Sequence, residues 1–314
     1  MREFETELRK FHQSYKEALV KNQRDPSWAD VFLGKLLHEV KKAYASSYPF
    51  GIYHEKLPEY EKFGTECVEP LIIWKDSHFY GKENAQKICQ QLAQGGNVIF
   101  FANHQIEPDP QVLLLYFEKE FPLIAKRLIF VAGHRVTTDP MSVPFSKGCS
   151  LLCIYSKNYI DHPPEKKGEK VQHNQKAMRK LAELLQEGGK CIYVAPSGGR
   201  DRPDANGKIV PAPFDPKSIE MFRFIAEKVN EHPTHFYPLA LSTHALFPPP
   251  KMISKELGEQ RLAYAAPIGI HVGEEIDMSQ LSHDKTKDRK LQRQNNSEII
   301  WKKVAALYEN FNWR

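Results

Sequence analysis

From about residue 71 onward, short apolar segments alternate with longer segments whose apolar residues recur at helical spacing. The short segments are rich in β-branched and aromatic residues, which is typical of buried strands. This alternation predicts an α/β fold, with a mixed sheet covered by helices on both faces. Ligands of such sheets bind where loops leave the strand ends. The strands are predicted at 98–101, 128–131, 151–155, 191–194 and 236–241.

The segments between these strands are predicted to be helices. Ala85, Ile88 and Leu92 share one helical face, and the glycine pair Gly95-Gly96 that follows is a typical helix end. Further helices are predicted over 110–120, 171–185, 216–230 and 287–310.

The region before residue 71 follows a different pattern. Apolar residues recur at helical spacing from Phe4 to Leu19 and again from Trp28 to Val40, which predicts two helices. Between about 49 and 70 the chain is rich in proline, glycine and aromatic residues and has no regular period. We therefore predict an N-terminal helical domain over 1–70 and an α/β domain over 71–314.

Composition limits the class of protein. The chain has 314 residues, of which 41% are hydrophobic, and its 44 Lys and Arg outnumber its 39 Asp and Glu for a net charge of +5. The longest apolar run spans about six residues, whereas a membrane-spanning helix needs roughly 20. The N-terminus alternates in charge, unlike a signal peptide. We expect a soluble intracellular protein with a mild preference for anionic partners.

The cysteines and histidines show no metal-binding pattern. The 5 cysteines include no CxxC pair, and the 13 histidines include no HExxH motif and no cluster with zinc spacing. We therefore expect no metal site, and thiols that pack as small apolar groups.

A histidine and an aspartate form an H-x4-D pair, His104 and Asp109, in the loop after the strand at 98–101. Pro110 suits the first position of a helix, so one interpretation makes Asp109 the helix N-cap. In the other, one carboxylate oxygen caps the helix while the second accepts the imidazole N–H. The far ring nitrogen is then free to act as a base. The spacing alone is a weak signal, because His134 and Asp139 repeat it.

Several blocks of residues resemble a known enzyme family. They read NHQIEPDP at 103–110, VAGHRVTTDP at 131–140, PFS at 144–146, YSK at 155–157 and APSGGRDRP at 195–203. In this order they resemble the soluble, plastid-type glycerol-3-phosphate acyltransferases, which some bacteria also have. The resemblance implies that the α/β domain is an acyltransferase domain. It also implies that His104, rather than His134, is the general base and that Asp109 stabilises the imidazolium.

The last of these blocks carries two arginines on a glycine-rich segment. In an extended segment, Arg200 and Arg202 project to one side and Asp201 to the other. Two guanidinium groups on one side can bind a phosphate in bidentate fashion. Taken alone, the segment could equally be an exposed loop with Arg–Asp pairs. The resemblance favours the phosphate site.

The resemblance also implies a phosphate role for a lysine. In the plant enzymes a Lys-His pair follows the Tyr-Ser-Lys block. Here Asn158 and Tyr159 occupy those positions, so Lys157 is the residue that matches.

The reaction implied by the resemblance moves a fatty acyl group from an acyl thioester to glycerol 3-phosphate, giving lysophosphatidate. The chain has no Gly-x-Ser-x-Gly motif, so we expect direct transfer without an acyl-enzyme. Backbone N–H groups near the helix start at 104–110 are candidate oxyanion donors. We expect no cofactor beyond the co-substrate, an acyl carrier protein or acyl-CoA.

We further expect a monomer in the cytoplasm or plastid stroma that binds no nucleic acid. The basic run Lys166-Lys167-x-x-Lys170 is either a solvated surface or a docking patch, for an acidic carrier protein or for transient contact with an anionic membrane surface. Three alternatives stay open: a lysophosphatidate acyltransferase, a His/Asp phosphate-ester hydrolase and a nucleic-acid binder. The last is disfavoured, since the charge is small and basic and aromatic residues are not interleaved.

Overall fold

A computed structural model describes residues 2–45, 48–229, 231–250, 260–283 and 288–311. Within these ranges the strands form one eight-stranded sheet in the order β1-β5-β4-β6-β3-β7-β8-β2. The strands are β1 (Tyr53–His54), β2 (His78–Tyr80), β3 (Asn97–Ala102), β4 (Leu128–Gly133), β5 (Leu151–Ile154), β6 (Cys191–Val194), β7 (Thr234–Ser242) and β8 (Gly269–Val272).

The five central strands, β5-β4-β6-β3-β7, are parallel to one another. At the two sides, β1 runs antiparallel to β5 and β8 runs antiparallel to β7, while β2 is parallel to β8. The sheet is therefore mixed, and all five predicted strands are confirmed. The three strands that the sequence did not predict are short and lack a continuous apolar run. The loops after β3, β4, β5, β6 and β7 all leave from one end of the sheet, which we call the carboxyl end.

The seven predicted helices are confirmed, and five shorter helices that the sequence did not predict lie between them in the described residues. Together they are α1 (Arg2–Lys21), α2 (Trp28–Ala45), α3 (Pro58–Val68), α4 (Lys82–Ala93), α5 (Asp109–Glu120), α6 (Pro122–Arg127), α7 (Arg135–Thr138), α8 (Val143–Lys147), α9 (Lys157–Ile160), α10 (Lys167–Glu187), α11 (Pro216–Lys228) and α12 (Arg289–Glu309). The predicted start of the last helix, 287, lies outside the described residues. Helix α12 begins at Arg289, and the Asp288 carboxylate caps it by accepting the N–H groups of Lys290 and Leu291.

Helix α3 lies in the 49–70 stretch for which the sequence predicted no regular structure, so that prediction is wrong there. Pro58 takes a first-turn position, where its missing N–H has no helical partner to lose. Phe63 and Cys67 are buried one turn apart. Together with Val68, they are the buried apolar side chains of this helix, and three are too few to show a helical period in a stretch interrupted by prolines and glycines. The helix is therefore recognised from the tertiary structure.

The two faces of the sheet carry separate apolar clusters, as strand β3 shows. Val98, Phe100 and Ala102 belong to the cluster that packs with helices α1 to α6, whereas Ile99 and Phe101 belong to the cluster that packs with α10 to α12. This alternation follows from the period of two in a strand. Helices thus cover both faces, as predicted.

The N-terminal helices pack on the first of these clusters. The Tyr15 hydroxyl donates to the carbonyl of Cys67 at 2.8 Å, and the Ser14 hydroxyl accepts the N–H of Ala263 at 3.0 Å. These contacts join α1 to both α3 and the segment that leads into β8. The domain boundary at residue 70 stays a prediction. No helix in the described part of the chain has the length and apolar character needed to cross a bilayer.

Candidate active site

Most of the predicted site residues follow different strands of the sheet, and all of them lie at its carboxyl end. His104 follows β3, Lys157 follows β5 and Arg200 follows β6. Parallel strands place the residues that follow them at one end, so the topology brings together side chains that are far apart in sequence. Two unpredicted participants, Thr243 after β7 and Arg135 after β4, lie at the same end.

His104 and Asp109 are in direct contact. His104 Nδ1 lies 2.8 Å from Asp109 Oδ2; the Asp109 side chain is fully buried and the His104 side chain is 27% exposed. A carboxylate can only accept, so we assign the Nδ1 hydrogen to this bond. Nε2 is then the unprotonated nitrogen and the one available to a substrate.

The Asp109 carboxylate does not cap helix α5, so the N-cap interpretation is wrong, and so is the cap that the second interpretation gave to one carboxylate oxygen. The helix begins at Asp109 itself, and Pro108 holds the cap position without a side-chain bond. Oδ2 turns back into the loop instead and accepts the backbone N–H groups of Gln105 at 2.7 Å and Ile106 at 3.2 Å. Oδ1 accepts the Thr243 hydroxyl at 2.5 Å. The N–H groups of Gln105 and Ile106 are therefore engaged, which argues against them as oxyanion donors.

Two amide side chains beside His104 tie its loop to β7. Asn103 Nδ2 donates to the Leu241 carbonyl at 2.9 Å, and its Oδ1 accepts the Leu241 N–H at 2.7 Å. Gln105 Oε1 accepts the N–H groups of Thr243 at 2.7 Å and His244 at 3.0 Å. Asn103 and Gln105 both belong to the block at 103–110, yet the sequence assigned them no role. The only signal was two amides directly after an apolar strand.

The segment at 197–204, called the arginine segment here because it contains Arg200 and Arg202, lies against the loop at 103–108 that contains His104, the His104 loop. The Asp201 N–H donates to the His104 carbonyl at 2.6 Å. Asp201 is fully buried, whereas Arg200 and Arg202 on either side are half-buried, in agreement with the predicted alternation. Arg202 Nη1 also donates to the Pro250 carbonyl at 3.0 Å. The structure thus places the two predicted phosphate ligands on a segment bonded to His104.

Lys157 is the most exposed of the predicted site residues. Its side chain is 78% exposed, and its Nζ lies 3.3 Å from Asp215 Oδ1. Asp215 caps helix α11, and its N–H donates to the Pro196 carbonyl at 3.1 Å. Lys157 is therefore connected to the segment after β6 by way of Asp215, which binds both. Its role toward phosphate stays a prediction.

Tyr159 and the basic run lie close to Lys157. Arg135 Nη1 donates to the Tyr159 hydroxyl at 3.1 Å. Lys170 is buried and donates to the carbonyls of Tyr159 and His162, so it is not part of a docking surface. Lys167 is exposed and pairs with Asp161 at 2.8 Å. Of the basic run, only Lys166 and Lys167 face solvent.

An ion-pair network that the sequence did not predict lies beside the His104 loop. Arg261 Nε and Nη2 donate to the two oxygens of Glu107 at 2.6 and 3.0 Å, and Nη2 also donates to Asp139 Oδ2 at 2.8 Å. Burial raises the pKa of Glu107, but Arg261, with smaller contributions from Arg200 and Arg135, outweighs it and lowers this pKa to about 2. Glu107 is therefore ionised at neutral pH and holds its loop to Arg261.

The second H-x4-D pair does not form a His–Asp contact. Asp139 binds Arg261, as above, and accepts the Met141 N–H at 3.0 Å. The His134 ring packs against Phe50 and Tyr155, with centroids 6.2 and 5.2 Å away. Burial, with the nearby Lys170 and Arg135, lowers the pKa of His134. These surroundings favour His104 as the base. Across the described residues, no group of three or more His, Cys, Asp or Glu side chains could hold a metal ion.

Comparisons with known proteins identify the family of this chain. The model of the Acyltransferase family matches residues 76–242, which is more than half of the chain. Proteins named "Glycerol-3-phosphate acyltransferase, chloroplastic" match this chain over most of the chain's length. The protein from Arabidopsis thaliana is 35% identical over 84% of this chain and 58% of its own length. The one from Spinacia oleracea is 40% identical over 74% and 50%, and the one from Phaseolus vulgaris 35% over 87% and 60%.

The chain thus spans between half and about three fifths of these relatives' own length. The family match covers β3 to β7, with the H-x4-D pair and the arginine segment at their carboxyl ends. The chain belongs to the acyltransferase family.

Proposed function

We propose that this protein transfers a fatty acyl group from an acyl thioester to glycerol 3-phosphate and releases lysophosphatidate. The observation that carries the proposal is the contact between buried Asp109 and His104 Nδ1 at the carboxyl end of the sheet. The arginine segment bonded to the His104 carbonyl supports a phosphate-bearing acceptor. The names of the curated relatives support the same acceptor.

In this mechanism His104 acts as the general base. Its Nε2 takes the proton of an acceptor hydroxyl while that oxygen attacks the thioester carbonyl carbon. The new C–O bond forms, the C–S bond breaks, and the thiolate takes the proton back from the imidazolium. Asp109 stabilises the imidazolium through Nδ1 and holds the ring in one tautomer. General-base catalysis of this kind contributes about 10²–10⁴-fold.

Positioning of the acceptor provides much of the remaining rate enhancement. Arg200 and Arg202 would bind the phosphate, with Lys157 as an additional cation. Charge-assisted bonds from a guanidinium group are each worth about 1.5–3 kcal/mol. Holding the phosphate at a set distance from His104 would place one hydroxyl beside Nε2, which converts a bimolecular step into an effectively intramolecular one.

The remaining expectations about partners stay part of the proposal. The donor is an acyl carrier protein or acyl-CoA, and neither is preferred by any contact described above. A monomeric state, the absence of nucleic-acid binding, a location in the cytoplasm or plastid stroma, and a transient membrane-surface contact through Lys166 and Lys167 remain predictions.

The test is thiol release by the purified protein from acyl carrier protein and acyl-CoA donors, with glycerol 3-phosphate, lysophosphatidate or no acceptor. We expect release that depends on glycerol 3-phosphate, with lysophosphatidate identified by mass spectrometry. Release that depends on lysophosphatidate instead would assign the protein as a lysophosphatidate acyltransferase. Phosphate release from glycerol 3-phosphate without a thioester would return the assignment to a hydrolase.

A further inference from the structure

Asp201 is a buried carboxylate that the proposed mechanism does not use. It lies between Arg200 and Arg202, the two predicted phosphate ligands, yet it is itself fully buried. Its Oδ2 accepts from the side-chain amides of Asn103 at 2.8 Å and Gln105 at 3.3 Å. Its Oδ1 accepts the Ala212 N–H at 2.9 Å. The site therefore offers three donors to one side chain.

Asp201 is bonded to His104 and to the residues on both sides of it. Asn103 and Gln105 are the residues on either side of His104, and the Asp201 N–H donates to the His104 carbonyl between them. The carboxylate and the backbone of one residue thus hold three consecutive residues of the His104 loop. No other described residue is bonded to all three.

We infer that the Asp201 carboxylate is a positioning residue for the proposed acyl transfer, because it fixes the arginine segment at a set distance from His104. Alternation along an extended segment means that anchoring Asp201 inward turns Arg200 and Arg202 outward, toward the substrate side. The inference rests on the proposed function, since it concerns the distance between base and phosphate.

The chemistry of the site calls for an acceptor with two oxygens. A carboxylate accepts at both oxygens, whereas an amide carries one oxygen and one NH2 group. In Asp201→Asn, either the pair Asn103 and Gln105 or the Ala212 N–H would face that NH2 group and lose its bond. Burial raises the pKa of Asp201 to about 6, so the ionised form is costly to hold. The neutral variant is relieved of this cost, so its fold should survive the lost bond.

The experiment compares Asp201→Asn with Asp204→Asn under steady-state conditions. Asp204 is an exposed carboxylate of the same segment whose Oδ1 accepts the N–H groups of Asn206 and Lys208, and an asparagine can accept them equally well. We expect Asp201→Asn to raise KM for glycerol 3-phosphate about tenfold and to lower kcat about tenfold, with KM for the acyl thioester changed less than twofold. Asp204→Asn should match the unmodified protein.

Thermal unfolding accompanies the kinetics. We expect Asp201→Asn to unfold within about 5 °C of the unmodified protein, a shift too small to explain a hundredfold loss in kcat/KM by unfolding. A folded Asp201→Asn with unchanged kcat and KM would overturn the inference. So would a general loss, in which KM for both substrates rises together as the protein destabilises.

A second variant covers the case in which Asp201→Asn does not fold. Ala212→Pro removes one donor to Asp201 and leaves the carboxylate intact. Pro213 already restricts residue 212 to extended backbone, a conformation that a proline can share. We expect a threefold to fivefold rise in KM for glycerol 3-phosphate, and an unchanged KM in this folded variant would contradict the inference.

The activity of the unmodified protein distinguishes failure of the proposed function from failure of this inference. If it transfers no acyl group to glycerol 3-phosphate, the proposed function fails. The positioning role is then judged by calorimetric binding of inorganic phosphate, which Asp201→Asn should weaken about tenfold and Asp204→Asn should not change. Equal phosphate affinity in all three proteins would overturn the inference on its own.

Discussion

The chain contains two H-x4-D pairs, one after β3 and one after β4, and the fold gives them different surroundings. In the first, Asp109 holds His104 Nδ1 at 2.8 Å and leaves Nε2 toward the partly exposed side. In the second, Asp139 binds Arg261, and His134 packs among aromatic rings. Identical spacing at the same end of one sheet therefore produces a candidate catalytic dyad and a structural ion pair. The difference lies in the partner of each carboxylate.

The largest expected effect comes from replacing the two histidines. We expect His104→Ala to lower kcat/KM about 10³-fold, because it removes the proposed base, and His134→Ala to lower it less than about fivefold. Initial rates of thiol release with glycerol 3-phosphate measure both. An inactive His134→Ala beside an active His104→Ala would reverse the assignment.

The two aspartates should differ in kind. Asp109→Asn cannot stabilise the imidazolium and is expected to lower kcat about 10²-fold while KM for glycerol 3-phosphate stays within threefold. Asp139→Asn removes a charged partner of Arg261, so we expect a loss of about 1–3 kcal/mol in the free energy of unfolding and a kcat within fivefold of normal. Urea unfolding and steady-state kinetics separate the two. Equal losses of kcat would show that the second pair also serves the chemistry.

The positively charged residues also distinguish the two histidines, because the arginine segment is bonded to His104 and not to His134. We expect Arg200→Ala and Arg202→Ala each to raise KM for glycerol 3-phosphate about tenfold or more, the loss of one charge-assisted contact. Lys157→Ala should raise it less than threefold, since the Lys157 side chain is 78% exposed.

The matched control for the arginines is Arg223→Ala. Arg223 lies on helix α11 and pairs with Glu227 at 2.5 Å, one turn along the same helix. It should leave KM unchanged. If Arg223→Ala raised KM as much as Arg200→Ala, the effect would reflect overall charge rather than a phosphate site.

The smallest expected effect is a change in how the melting temperature depends on pH when His134 is replaced. Burial, with Lys170 and Arg135, lowers the pKa of His134 below its ordinary 6.5, so the unfolded chain binds a proton that the folded chain refuses. Stability from this residue is complete above pH 6.5 and is lost as pH falls from 6.5 through the folded pKa. His134→Phe keeps an aromatic ring, and its melting temperature should fall less than that of the unmodified protein between pH 7.5 and 5.5.

Asp201 should affect the pH dependence of the melting temperature in the opposite direction to His134. Its pKa is raised by burial to about 6, so the folded chain binds a proton more readily than the unfolded chain as pH falls below 6. The unmodified protein gains stability there, and Asp201→Asn should lose that gain and fall more steeply. If the melting temperatures of both variants changed with pH just as that of the unmodified protein does, both assignments would be contradicted.

Much of the fold could be predicted because its signals are local. The five apolar strands and the long helices between them show their period within a few neighbouring residues, and the structure confirms them. Helix α3 was missed because its buried apolar residues, Phe63, Cys67 and Val68, are few and lie in a stretch rich in prolines and glycines. Strands β2 and β8 were missed because each is short, and its place in the sheet depends on the other and on β7.

The site was predictable in its residues but not in its contacts. His104, Asp109, Arg200 and Arg202 lie in recognisable blocks, and these residues do lie at one end of the sheet. The N-cap interpretation of Asp109 failed because the carboxylate's second partner is Thr243, 134 positions further along the chain. The partner of Glu107 is Arg261, 154 positions away. No local pattern carries information over such separations.

Amino-acid order alone therefore specified the five apolar strands and the long helices, since side-chain periodicity acts between near neighbours. The resemblance of its blocks to a known family selected His104 as the candidate base. The fold assigned each carboxylate its partner: Asp109 to His104 and Thr243, Asp139 to Arg261, and Asp201 to the two amides beside His104. Strand order places these groups within hydrogen-bond distance. In a buried site the available donors decide what a carboxylate does.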